Sequence, residues 1–408
     1  FATSPFYCLS IFTFLILSDI IYPMEKRIVK QNELKRKLTI LAIALYVAGN
    51  SVVSGTLVFM QKDFGISLTN AEFLITLSSI ATIASIFISE KITQRLGMKK
   101  CVSIGLSMVG LSSIIPVIIT TYPSVVLSRI ILGAGIGLFN GHSANYINVF
   151  YDGDEASKLH GLRNSCEFIG QMILLFIAGL LIKIHWTLAF LAYAFSFLIL
   201  IYFNKTIPDV ETETGEDSKF VLNKQILFYV VFGAVMIMNV TALSVRFPTV
   251  ATQSKGMDVD INLYMIALPM AGMISGFLFG YINRMLRSRT ILLGLVIYVT
   301  FNLIIALFGS NMYVYLLCMV FLAFSQSLCT PYLFAEVARF VRGSQARVAN
   351  NLIFIGCNIG GFIAPFFLSG VNKILHTSSL TLSFIAFSLI YLLMLIVNLF
   401  EYTKTKKK

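Results

Sequence analysis

Charge is what this chain has least of. Only 12% of its 408 residues are Asp, Glu, Lys or Arg, against about 25% in an ordinary soluble domain. Tryptophan occurs once, and the four histidines (His142, His160, His185, His376) are scattered. The six cysteines (Cys8, Cys101, Cys166, Cys318, Cys329, Cys357) show no CxxC or Cys/His ligand spacing and lie mostly in apolar runs. These scarcities exclude a metal-ligand motif and a disulfide framework, so no cofactor or metal is expected and the cysteines read as small core residues. No Walker-type phosphate loop is present, which leaves direct ATP drive without a site. No acyl-transferase or protease constellation is visible, so the chain is not read as an enzyme.

What is abundant is apolar surface. Hydrophobic residues make up 57% of the chain and phenylalanine alone occurs 35 times. A soluble core of this length would leave too much of that area in water, whereas a lipid bilayer is a solvent that needs no shielding from Leu, Ile and Phe. Runs long enough to cross the hydrocarbon layer, about twenty residues each, fall at roughly 38–60, 70–90, 101–121, 124–148, 162–183 and 187–204. They resume at roughly 225–247, 262–283, 290–309, 313–335, 348–371 and 378–400. Lipid cannot satisfy exposed backbone groups, so these runs must be helices, and the alternating pattern of barrel strands is absent. The expected fold is an all-α integral membrane protein of about twelve transmembrane helices. Its parts would be a leader (1–37), a six-helix bundle (38–204), a linker (205–224), a second six-helix bundle (225–400) and a basic tail (401–408).

The net charge of +12 could suggest nucleic acid, but its distribution argues for topology. With the N-terminus inside, every Lys and Arg falls in cytoplasmic segments except Lys62, Lys183, Lys255, Lys373, Arg129 and Arg246. That asymmetry orients both termini toward the cytoplasm of a plasma membrane and removes the need for a nucleic-acid partner. The linker holds Pro208, Gly215 and an acidic cluster from Asp209 to Asp217. Residues 1–23 are apolar but contain Asp19 and lack a basic region before them, which makes a poor signal peptide. The expectation is that the native start is Met24, with a marginal extra membrane segment as the alternative.

The two halves repeat. With a shift of 186, Asn164 matches Asn350, Phe168-Ile169-Gly170 matches Phe354-Ile355-Gly356, and Phe176-Ile177-Ala178 matches Phe362-Ile363-Ala364. These pairs place the fifth span on the eleventh, where a duplication would put them.

Three motifs add to this. The loop after the second span, EKITQRLGMKK, contains Arg95, Gly97, Lys99 and Lys100. The fourth span carries Arg129 followed by Gly133, Gly135, Gly137 and Gly141. His185-Trp186-Thr187-Leu188-Ala189-Phe190 joins spans five and six. On these the chain resembles the major facilitator superfamily from about residue 38 onward. The loop departs from the family pattern, with Glu90 where a glycine belongs and Gln94 where an aspartate belongs, and Thr187 stands for the arginine of the Trp-Arg turn. The resemblance implies two bundles related by pseudo-symmetry that alternate access to a small-molecule substrate. It also implies a conformational latch in the 90–100 loop, its charged part in doubt without the aspartate, and a central cavity lined by spans one and seven. A monomer in the lipid bilayer is expected.

Physics singles out the same region of the fourth span. Glycines four apart make a flat face for a neighbouring helix. A buried arginine costs at least about 2.5–3.5 kcal/mol to insert, so Arg129 should face a cavity or a partner; the plainer reading has it snorkel into water. Trp186 reads as an interface anchor. In the eighth span Gly272, Gly276 and Gly280 lie on one face and read as helix packing.

Charged groups within spans are functional candidates. Glu167 is the carboxyl placed deepest and the candidate proton carrier, unless it only pairs with Arg163 four residues earlier. Arg129, Arg246, Asn50, Asn239 and His142 complete the substrate or coupling set, with Ser51, Ser54, Thr56, Thr241 and Ser244 as further small polar groups on spans one and seven. Met236, Met238 and Phe232 suit adaptable apolar guests. The expectation is a secondary transporter, most simply an exporter of small amphiphilic or drug-like molecules with protons as the candidate coupling ion. Uptake of a small organic anion is the rival, because Arg129 and Arg246 outnumber the deep carboxylate. A non-transporting receptor or scaffold is a third.

Overall fold

The computed structural model describes residues 24–151, 153–210, 224–257, 259–286, 289–340 and 344–406. The leader through residue 23, with its start-site expectation, and the acidic part of the linker lie outside the described residues. Among those described, the secondary structure is entirely helical, and its helices follow the twelve expected runs in chain order.

Ten of these passes are long and apolar enough to cross a membrane as they stand. The expected helices recur with their ends extended: the fourth run becomes Tyr122–Phe150, the seventh Lys224–Lys255 and the eleventh Ser344–Ile374. The twelfth is Phe384–Lys406, apolar through Leu399.

The first pass differs from the uninterrupted span expected at 38–60. Helix Met24–Ala44 gives way to two short 3-10 turns, Gly49–Ser51 and Ser54–Thr56, before helix Leu57–Phe64, and the pair bends by 48°. The cause is composition. Gly49, Asn50, Ser51, Ser54 and Gly55 crowd one stretch, and Gly, Ser and Asn are poor helix formers that compete for backbone groups. Carbonyls freed there must find other donors, because lipid supplies none.

Ends are sealed by local chemistry. Thr121 and Ser124 form a reciprocal capping box with Pro123 in the first turn of the fourth span. Ser67 caps the second span by accepting from the Asn70 amide at 3.3 Å. Gly65 and Gly97, both with positive φ, end the preceding helices in turns that a Cβ would strain.

The repeat seen in the sequence is also a repeat of packing. A Cβ on Gly170 would run into the Leu45 backbone of the first span; one on its counterpart Gly356 would meet the Val230 carbonyl of the seventh at 3.0 Å. Each half therefore presses its fifth helix against its first through this glycine, joined in the C-terminal half by Gly360 against the Ala234 backbone. The fourth-span glycines do the same on two sides. Gly133 and Gly137 abut Ser78 and Thr82 of the second span, while Gly135 abuts Gly105 of the third. Gly141, fourth in the row, faces open space. In the eighth span Gly272 packs against Phe168 and Ser327, but Gly276 and Gly280 have nothing within 4 Å, so the expected packing face shrinks to one residue.

Candidate functional site

The deep polar residues sort into those consumed within one half and those that join the two. Arg129 belongs to the first group. It is fully buried. Its Nε donates to the Leu74 carbonyl at 3.1 Å, Nη1 to the Tyr193 hydroxyl at 3.2 Å, and Nη2 to the carbonyls of Asn50 and Ile75 and to Ser78 Oγ. Tyr193 in turn donates to the Gly49 carbonyl at 2.8 Å. The partner sought for this arginine is thus the set of carbonyls at the break of span one and in span two. Snorkelling into water is ruled out by its burial.

Asn239 is likewise spent inside its half. It exchanges side-chain hydrogen bonds with Asn302 of the ninth span at 2.7 and 3.1 Å, both residues fully buried. His142 contacts Thr93 Oγ1 through Nε2 at 2.8 Å, tying span four to span two beside the 90–100 loop. In that loop Gly97 makes the turn, while Arg95 and Lys100 are exposed. Trp186 is buried rather than interfacial. Its Nε1 donates to Asp63 at 2.6 Å and its ring meets Phe64 edge-on at 5.7 Å, so it fastens the span five–six turn to the end of span one.

Glu167 pairs with Arg163, Oε1 to Nη1 at 2.8 Å. Arg163 also donates to Ser143 and Asn140 of the fourth span. The carboxylate is therefore matched on its own helix, the arrangement that rivalled the proton-carrier reading.

Among the contacts that join the halves, four cluster at the end opposite the chain termini. Asn262, at the start of span eight, accepts from the Gly55 amide at 3.0 Å and donates to the Val52 carbonyl at 3.2 Å. It thereby satisfies two backbone groups freed by the broken first span, and a Cβ on Gly55 would collide with it. Lys183 pairs with Asp260 at the rim. Phe73 of span two sits edge-on to Phe362 and Phe366 of span eleven, at 5.9 and 5.6 Å.

The fourth contact is an ion pair. Glu72 Oε1 of span two lies 2.7 Å from Arg246 Nε of span seven, with Glu72 fully buried and Arg246 3% exposed. The two are close enough to attract, yet the Nε–H is not aimed at the carboxylate, and neither Glu72 oxygen has a hydrogen bond. Above them a recess of about 480 Å³ is lined by Arg246 together with Thr69, Ser369, Asn372, Lys373 and His376.

Of the sequence candidates, the structure therefore brings Asn50 and Arg129 together at the break of span one. It places Arg246 at the seam between halves and leaves Glu167, Asn239 and His142 in contacts of their own. The residues that sequence reading passed over are Glu72, Asn262, Asn302 and Gln171, which donates to Ser51 at 3.0 Å. Phe232, Met236 and Met238 are buried in the C-terminal half, so they offer no face to a guest.

A family model of the major facilitator superfamily matches residues 39–365. The chain belongs to the major facilitator superfamily. No curated protein matches the chain in sequence. Among solved structures it is similar to the xylose transporter XylE from E. coli in an inward-open conformation, at TM-score 0.72 and 14% identity over 89% of this chain and 94% of that one. It is similar too to a D-xylose–proton symporter (TM-score 0.71, 14% identity, 90% and 97% covered) and to the nucleoside transporter NupG (TM-score 0.70, 13% identity, 91% and 99% covered). At these identities the likeness is one of fold, and it runs the length of the major facilitator architecture.

Proposed function

We propose that this member of the major facilitator superfamily is a secondary transporter of a small uncharged polar solute. It works by alternating access, with the end opposite the termini facing outward and closed. The observation that carries the solute class is the fate of the deep charges. Arg129 is held by backbone carbonyls and Arg163 by Glu167, while Arg246 lies beside Glu72 at the outer seam, away from the break of span one. What remains near the break of span one is neutral: the Asn50 side-chain oxygen, which has no partner among the described residues, and the Ser51–Gln171 pair.

An organic anion carried through the centre loses its support, because Arg129 is not available to it. Export of an amphiphile loses the lining that Met236, Met238 and Phe232 were expected to give. The solved neighbours named for xylose and nucleoside transport agree with a neutral polar cargo. Orientation rests on the basic loops, and the closed outer end rests on the contacts among Glu72, Arg246, Asn262 and Phe73.

The test is a solute screen in purified proteoliposomes, with and without a proton gradient. Pentoses, hexoses and nucleosides form one arm, small carboxylates the second and amphiphilic cations the third. Accumulation or counterflow confined to the first arm is expected. Flux confined to either of the others would overturn the solute class.

A further inference from the structure

Arg246 differs from Arg129 in one respect that points to a ligand. Arg129 donates to five acceptors. Arg246 is 97% buried, yet its Nε has no hydrogen bond among the described residues, only the misaligned approach to Glu72. A guanidinium has five N–H donors in a fork that fits a carboxylate or phosphate. Leaving the buried Nε–H unpaired is unfavourable, and this side chain lines an open recess.

The recess is built for an anion. Lys373 and His376 line it with Arg246, hydroxyls of Thr69 and Ser369 add donors, and no acidic residue is on its wall. His376 adopts φ of 48°, the one non-glycine residue with positive φ among those described; such outliers persist where surroundings or function fix them. At about 480 Å³ the recess falls within the range of roughly 300–1,000 Å³ typical of small-molecule sites. It straddles the seam, with Leu68 and Thr69 from the N-terminal half and the rest from the C-terminal half.

We propose that this outer recess binds a small oxyanion, a carboxylate or a phosphate, on Arg246, and that one proton enters with it onto Glu72. The stoichiometry follows from charge. An oxyanion that takes the guanidinium leaves Glu72 buried and unpaired, and an uncompensated buried charge is strongly disfavoured. Protonation neutralises it. Binding of anion and proton are then reciprocal, each strengthening the other. Because the pair bridges spans two and seven, the same event removes an electrostatic tie across the closed outer end. The site is separate from the neutral path at the break of span one, so it stands whether or not that solute class is right.

Four other groups face the pair or the recess: Arg246 itself, Tyr315 of span ten beside the pair, and Lys373 and His376 on the recess wall. His376→Asn is therefore the control for a pH effect that does not come from Glu72.

The experiment is equilibrium binding of radiolabelled benzoate to the purified full chain between about pH 5.5 and 7.5, where benzoate stays ionised. Affinity should rise as pH falls, by up to about tenfold per pH unit, the limiting slope for one proton per anion. Glu72→Gln should bind benzoate tightly with that slope abolished, and His376→Asn should keep it. Glu72→Gln/Arg246→Gln, which leaves no lone buried charge and so guards against misfolding, should lose binding at least tenfold. Repeating the assay in phosphatidylcholine nanodiscs with and without phosphatidylglycerol identifies the source: competition by the anionic lipid assigns the site to a headgroup, its absence to a soluble anion. A pH-independent wild type, a slope retained in Glu72→Gln or lost in His376→Asn, or full binding by the double variant would overturn the proposal.

Discussion

An arginine in a bilayer must find acceptors, and the two buried ones here solve that differently. Arg129 spends its fork on the Asn50 carbonyl at the break in span one, which would cost about 1–3 kcal/mol if left unpaired, and on two carbonyls and a hydroxyl of span two. Its role is scaffolding. Arg246 leaves its Nε–H unpaired beside Glu72. The sequence marks both arginines equally, since each is one cation in an apolar run; what distinguishes them is which distant backbone folds against each. Glu72 escaped notice for a related reason. It sits only two residues into its apolar run, where a carboxyl reads as interfacial, and its partner is in the other half of the chain. Glu167 looked deeper and is matched locally by Arg163. Glu167→Gln should therefore lower stability by no more than about 1 kcal/mol, as for a partly exposed i,i+4 pair, and leave gradient-driven flux intact. Thermal unfolding and driven transport measured on the same variant check this, and loss of accumulation at unchanged stability would restore the proton-carrier reading.

Among whole elements, the helices were legible because apolar length alone specifies a crossing, and the duplication was legible because its glycines recur at fixed offset. Gly170 and Gly356 turned out to do the same job in each half. The break in span one is written in Gly49, Asn50, Ser51, Ser54 and Gly55, but from the sequence Asn50, Ser51 and Ser54 read as cavity-lining polar groups rather than as a helix interruption. Pairings such as Asn239 with Asn302 were not legible, since periodicity gives the face of a helix but not its neighbour. The glycine row of span four carries a graded prediction. Gly133→Ala would drive a methyl into the Ser78 backbone and should destabilise by about 1–3 kcal/mol, the usual cost of overpacking. Gly141→Ala meets open space and should be neutral or slightly stabilising, because alanine is the better helix former. Melting temperatures of the two in one detergent decide it; equal losses would mean the row is not a packing face.

For the molecule as a whole, function depends on whether the outer end opens. Asn262 in the gap of span one, the Phe73–Phe362–Phe366 cluster and the Glu72–Arg246 pair hold the halves together there. Hydrophobic and polar contacts of this kind are bistable, since a packed interface is either made or unmade. A ligand moves such an equilibrium only by preferring one state. The central claim, that these contacts form a gate which must part in every transport cycle, is tested most directly by a reversible staple. Phe73→Cys/Phe366→Cys, in a background with the native cysteines replaced, would be reconstituted, oxidised, and assayed for flux of the solute found by screening. The account predicts that flux stops as the cross-link forms and returns on reduction, while solute binding from the inner side persists. Undiminished flux with the cross-link complete would contradict it.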